Sequence, residues 1–247
     1  LCLSKKLNVS VASKIHKPIL YIVFGGHVNP VLLLQLQVRT NCNYLILNSE
    51  HYQSKCFSNK YYLSLLKNNF VCDYLPNNVY FLKTYHNINV MSYFNFIFVK
   101  HNTIKPRTID ILFIGSKTNR RETVEKMFIE NNPTYNIKFI YPDKFGDITQ
   151  LLLDAKSVVN IPFYDDNVEC HRINQALACG CNVISYKFNQ LDDLYKDYIY
   201  FTDDWVNATN KPTKSYDELL ETTSTQIHSH FTWVVSMIAN LKPSRGS

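Results

Sequence analysis

Apolar residues gather in short continuous runs along this chain instead of alternating with polar ones. Residues 19–24 are apolar throughout, as expected of a parallel strand buried on both faces. Gly25-Gly26 then turns the chain, and Asn29-Pro30 leads into a helix over 31–38. The same pattern predicts strands at 44–47 and 71–74 and helices at 61–67 and 77–85. One or two further strands are predicted within 88–99. Strands alternating with helices imply a parallel, doubly wound sheet.

Residues 101–107 are polar and contain Pro106, which suits a linker. A second α/β series follows. Strands are expected at 109–114, 137–141, 157–161, 182–186 and 198–201, with helices at 121–130, 148–155 and 169–178. A long helix over 216–241 carries Leu219, Leu220, Ile227, Phe231, Val234, Val235 and Ile238 on one face, and is expected to cross back. The expected fold class is therefore α/β, two Rossmann-like domains with parallel sheets flanked by helices. An N-terminal domain would occupy 1–104, and a C-terminal domain 105–242.

Charge sharpens this division. Residues 1–100 hold ten Lys/Arg against only Glu50 and Asp73, whereas the remainder holds sixteen against eighteen carboxylates. A basic half attracts anions: a nucleotide diphosphate, an acidic acceptor or an anionic membrane surface, which makes peripheral membrane contact an expectation. Nucleic acid is not the expected partner, because only one of those ten is an Arg and no arginine–aromatic stripe is present. Seven cysteines without a Cys-x-x-Cys pair read as reduced, core-filling thiols, and no signal-peptide layout opens the chain. Both point to the cytoplasm, the host's if the source is viral. Nothing in the sequence indicates an oligomeric state.

The segment 157–185 concentrates the candidate chemistry. It reads strand, polar loop, helix, glycine turn, strand, and it brings Glu169, His171 and Arg172 to the first helical turn. Backbone N–H groups and the positive dipole end there suit a diphosphate, with Arg172 and His171 as added donors. The plain alternative is that Glu169 caps the helix and Arg172 decorates the surface. Earlier, Gly115 ends a strand and permits close backbone approach, with Ser116, Lys117, Arg120 and Arg121 just beyond it. Tyr141 and Pro162 at strand ends, and Asn174 in the helix, complete the candidate diphosphate-binding set. No Asp-x-Asp occurs to hold a metal, so cations and dipoles are expected to meet a diphosphate here, and no cofactor is expected. The dinucleotide fingerprint and the phosphate-loop Gly-Lys-Ser/Thr are missing, which removes common NAD and NTPase functions.

The phrase Gln175-Ala-Leu-Ala-Cys-Gly180 resembles the donor-binding segment of two-domain (GT-B) glycosyltransferases, which ends in Glu-Ala-Leu-Ala-x-Gly. Residues 109–115 followed by Arg120-Arg121-Glu122 are similar to the spore-maturation (CgeB-like) group. Asn48-Ser-Glu50, Asp73-Tyr74 and Asn77 resemble N-terminal phrases of bacterial relatives. The resemblance implies transfer of a sugar from a nucleoside-diphosphate sugar, UDP first, to a glycan hydroxyl. The Asn-, Tyr- and Lys-rich, Gly-poor composition is reminiscent of large DNA viruses, and a chlorovirus-type xylosyltransferase using UDP-xylose is one expectation.

Retaining members of the fold place two glutamates eight positions apart, where this chain has Asn167 and Gln175. Arg172, three residues before Gln175, resembles the exostosin-like inverting enzymes instead. Inversion needs a base for the acceptor hydroxyl. Glu50, Asp73 and His27 are the candidates, in that order, with Glu50 and His27 at carboxyl ends of expected strands. Two other classes stay open: a nucleotide-sugar epimerase on the same fold, and a non-catalytic glycan- or nucleotide-binding module.

Overall fold

The computed structural model describes residues 19–24, 42–93, 100–101, 105–143, 146–164, 169–186, 195–202, 215–219 and 221. His27, Gly25-Gly26, the helix expected over 31–38, Asn167 and most of the C-terminal helix lie outside them. Of that last helix, 216–219 is helical as expected.

The first unit holds strands β1 (Ile19–Phe24), β2 (Cys42–Asn48), β3 (Phe70–Asp73) and β4 (Val90–Tyr93). A 3-10 turn, Lys55–Ser58, precedes helix α1 (Lys60–Lys67), and α2 (Pro76–His86) joins β3 to β4. Asn59 starts α1 by accepting from the N–H groups of Tyr61 and Tyr62. Pro76 opens α2 where a missing N–H costs nothing, and Asn87 closes it in the left-handed conformation at φ 52°. All pairings are parallel, in the order β1-β2-β3-β4. The chain therefore steps across this sheet in one direction, and right-handed crossovers set α1 and α2 on the same face. Tyr62, Leu65 and Leu66 of α1 and Leu82 of α2 share a core with Tyr44, Ile46 and Val71.

The second unit holds β5 (Ile109–Ile114), α3 (Asn119–Asn131), β6 (Ile137–Ile140), α4 (Thr149–Asp154), β7 (Ala155–Asn160), α5 (Cys170–Ala178), β8 (Asn182–Ser185) and β9 (Tyr200–Phe201). Its parallel strands run β6-β5-β7-β8-β9. The chain steps one way from β5 to β6, then returns past β5 to β7. That reversal places α3 on one face and α4 and α5 on the other, and it opens a crevice at the carboxyl ends of β5 and β7. Val124 and Phe128 of α3 pack with Phe113, Val159, Ile161 and Ile184.

Arg107, expected in a linker, closes the far end of this unit. Its guanidinium donates to the carbonyls of Leu152 (3.2 Å), Cys179 (2.6 Å) and Ala155, tying the ends of α4 and α5 to the start of β7. Gly180 follows α5 at φ +71°, and a β-carbon there would lie 3.0 Å from Nη2 of Arg107. Lys100 pairs with Asp217 and His101 N–H donates to the Ala178 carbonyl, so both belong with the second unit. Burial pushes the thiols of Cys170 and Cys181 up to about 12, consistent with reduced core cysteines. Among the described residues no helix is long and apolar enough to cross a membrane.

Candidate functional site

The crevice end of β5 is built around Gly115. A β-carbon there would lie 2.7 Å from the Phe113 ring, 3.1 Å from Nη1 of Arg121 and 3.2 Å from Nη2 of Arg172. Two guanidinium groups thus converge over one strand end, and only glycine leaves them room. Like charges this close need a counter-charge. Glu169 supplies it: Oε1 accepts from Nη2 of Arg121 at 3.0 Å, and Oε2 pairs with Nη1 of Arg172. Oε1 also accepts from the Phe163 N–H at 3.1 Å, which ties the loop after β7 to the start of α5.

The two arginines differ in what remains to them. Arg121 is 1% exposed and spends its donors on Ile161 O (3.0 and 2.7 Å), Ser116 O (2.7 Å) and Glu169. Burial lowers its pKa, with the charge of Glu169 working against that shift. Contact with a donor phosphate, expected of Arg121, is replaced by a supporting role. It braces the β5 turn, the β7 loop and Glu169 against one another. Arg172 retains 13% exposure at its side chain, and its guanidinium lies 5.4 Å from the Phe113 ring centre. It is the arginine left able to meet a ligand. Glu169 stands at the N-cap of α5 but makes no side-chain capping bond, so the plain capping alternative does not describe it.

The other expected donor residues divide. Ser116 is exposed on the β5 turn and His171 on the first turn of α5, both at the crevice end. Lys117 is exposed and pairs with Glu122 at 2.8 Å, which raises its pKa. Arg120 lies 4.9 Å from the ring centre of Tyr186, the residue after β8. Pro162 is buried behind the doubly accepting Ile161 carbonyl. Tyr141 donates to Glu125 Oε2 at 2.8 Å, and burial together with that carboxylate raises its pKa. Asn174 is a correction: it is 2% exposed and donates to the Tyr195 hydroxyl at 2.9 Å, in the interior of the unit. Among the described residues no three His, Cys, Asp or Glu side chains cluster as metal ligands.

Solved structures share this architecture, whereas no family model and no curated protein matches the sequence. One is a GtfA/B complex: TM-score 0.52, 7% identity, covering 88% of this chain and 57% of that one. Another is the Glycosylation Associate Protein (Gap123) complex from Streptococcus agalactiae: TM-score 0.53, 12% identity, covering 92% and 55%. The fold is that of the GT-B glycosyltransferases. At these identities the likeness speaks for architecture alone. The chain spans little more than half the length of either structure.

Within the first GT-B unit the expected bases sit at the carboxyl ends of β2 and β3. Asp73 is fully buried and accepts from Asn48 Nδ2 (2.6 Å), Asn78 Nδ2 (2.9 Å) and the Leu75 N–H (2.9 Å). Burial pushes its carboxyl up to about 6, those hydrogen bonds acting in the opposite direction. The same two asparagines donate to the Glu50 carbonyl, at 3.1 and 2.7 Å, while Asn78 Oδ1 accepts from the Tyr52 N–H at 2.8 Å. Tyr62 closes the network by donating to Asn48 Oδ1 at 2.6 Å. Asp73 is thereby an anchor for the 50–52 loop, not an open base. Glu50 rides on that loop, partly exposed.

Three groups escaped sequence reasoning. Asn48 entered only as part of a family-like phrase and Asn78 only as a helix residue, although Asn48 keeps the inward parity of Tyr44 and Ile46 along β2. Phe163 carries no polar signal at all. Arg107 was hidden by the polarity of its neighbours.

Proposed function

We propose that this chain handles the donor in a glycosyltransferase that uses a nucleoside-diphosphate sugar. One observation supports this above the rest. At the topological switch point two guanidinium groups share a single carboxylate, which leaves one formal positive charge beside a glycine turn and a helix N-terminus. A departing diphosphate is the anion such a seat would stabilise, and it would be held most strongly as charge develops on the leaving oxygen. Arg172 contacts it directly, with Ser116 and His171 beside it, and Arg121 and Glu169 keep Arg172 in place.

Stabilisation by these cations makes transfer metal-independent. Asn167 and Gln175 cannot ionise, which favours inversion in the manner of exostosin-like enzymes. Glu50 is then the base in preference to Asp73, whose oxygens already accept three hydrogen bonds. The acceptor is a glycan hydroxyl, and the donor is a UDP-sugar, UDP-xylose included.

A thermal-shift panel of UDP-, GDP- and other nucleotide sugars tests this. A true donor in large excess should add roughly 3 kcal/mol of stability. Release of nucleoside diphosphate should follow, lost in Arg172→Ala and Glu50→Gln. A shift without release would indicate a binding module, and recovery of an isomerised nucleotide sugar an epimerase. Absence of any shift with every nucleotide sugar would remove the proposal.

A further inference from the structure

We infer that Phe163 is a contact residue of the same site, its ring stacking on a flat apolar face of the bound nucleotide sugar; this rests on the donor-binding proposal above. Large apolar side chains exposed in the second unit include Ile129, Tyr135 and Phe163. Ile129 lies within α3 and Tyr135 precedes β6, away from the crevice. Phe163 alone of the three follows β7 at its carboxyl end, and it is 46% exposed there. Leaving half of such a ring in water forgoes burial that an interior position would have given it.

The ring is also held in place from behind. Its backbone N–H donates to Glu169 Oε1, the oxygen that receives Nη2 of Arg121. The Arg121 guanidinium lies 5.5 Å from the Phe163 ring centre, and Tyr164 packs edge-on at 4.9 Å. Glu169 therefore fixes two groups at once: Phe163 through one oxygen and Arg172 through the other. An aromatic face and a guanidinium, set apart by one buried carboxylate, match a ligand that carries a flat ring next to a phosphate. A nucleotide sugar has that form on both sides of its diphosphate, at the nucleobase and at the sugar ring.

Calorimetric titration of UMP, UDP and UDP-glucose, with GMP, GDP and GDP-mannose in parallel, tests this in wild type, Phe163→Ala and Phe163→Trp. Phe163→Ala should weaken binding about tenfold, and Phe163→Trp should keep it, with only a small change in unfolding curves because the ring is half exposed. Weakening toward all members of a series places the ring on the nucleobase; weakening confined to the nucleotide sugar places it on the sugar. If Phe163→Ala binds every probe like wild type while Arg172→Ala does not, the inference fails and the donor site stands. A wild-type protein that binds none of the probes overturns both.

Discussion

Each unit gathers a buried polar cluster at the carboxyl edge of its sheet, and the two clusters solve different problems. In the first, Asn48, Asp73 and Asn78 form a network in which each amide is shared between the Asp73 carboxylate and the Glu50 carbonyl. It contains no cation and binds the protein to itself. In the second, Arg121, Glu169 and Arg172 leave a positive charge unbalanced, with one arginine reaching the surface. The strand orders follow the same contrast: the first sheet advances in one direction, while the second reverses at β5 and so opens a crevice. A buried network with its bonds complete fixes a loop, whereas one with charge to spare waits for a ligand.

The sharpest way to break this contrast is Glu169→Ala. It strands Arg121 in the interior without a counter-charge and should cost about 3–5 kcal/mol in chemical denaturation, together with nucleotide affinity. Arg172→Ala should separate the two properties: affinity for a nucleoside diphosphate falls by about 1.5–3 kcal/mol in titration, with a smaller loss of stability. In the first unit the pattern inverts. Asn78→Ala removes donors from Asp73 and Glu50 and an acceptor from Tyr52, so stability should fall by about 1–3 kcal/mol while nucleotide affinity holds. Should Asn78→Ala weaken nucleotide binding as strongly as Arg172→Ala, the division of labour is wrong.

The smallest effect concerns pH. Asp73 is raised from 3.8 to about 6 by burial, so the folded state holds its proton more tightly than the unfolded chain. Its stabilising contribution is complete below about pH 4 and is lost as pH rises through about 6. Urea unfolding of wild type and Asp73→Asn across that window should show Asp73→Asn gaining relative to wild type as pH rises. A difference independent of pH would contradict the assignment.

Much of the fold was legible in the sequence, because the strands coincide with short apolar runs. β1 and β5 begin and end where those runs do, although Asp110 interrupts β5, and β1, expected buried on both faces, is an edge strand that leaves Ile22 and Phe24 exposed. The β5 turn and the amino end of α5 were legible too, since glycine and a cluster of donors mark them. The roles within the site were harder to read. Arg120 and Arg121 are adjacent and chemically identical, yet helical phase separates them: Arg121 shares the buried face with Val124 and Phe128 at spacings of three and seven. The same phase buries Asn174 beside Ile173 and Leu177. Residue type alone put both in contact with a ligand, and periodicity would have turned both inward. Phe163 is the opposite case, an apolar residue whose exposure comes only from tertiary structure.

Gly115 ties these threads together over longer times. Any β-carbon at that position meets an aromatic ring and two arginines at once. A lineage that drifts to alanine there must move the Phe113 ring and displace both guanidinium groups, and a lineage that loses the arginines still meets the ring. The four positions should therefore change together, so genomes that keep the scaffold but have lost the chemistry would betray it first at this turn.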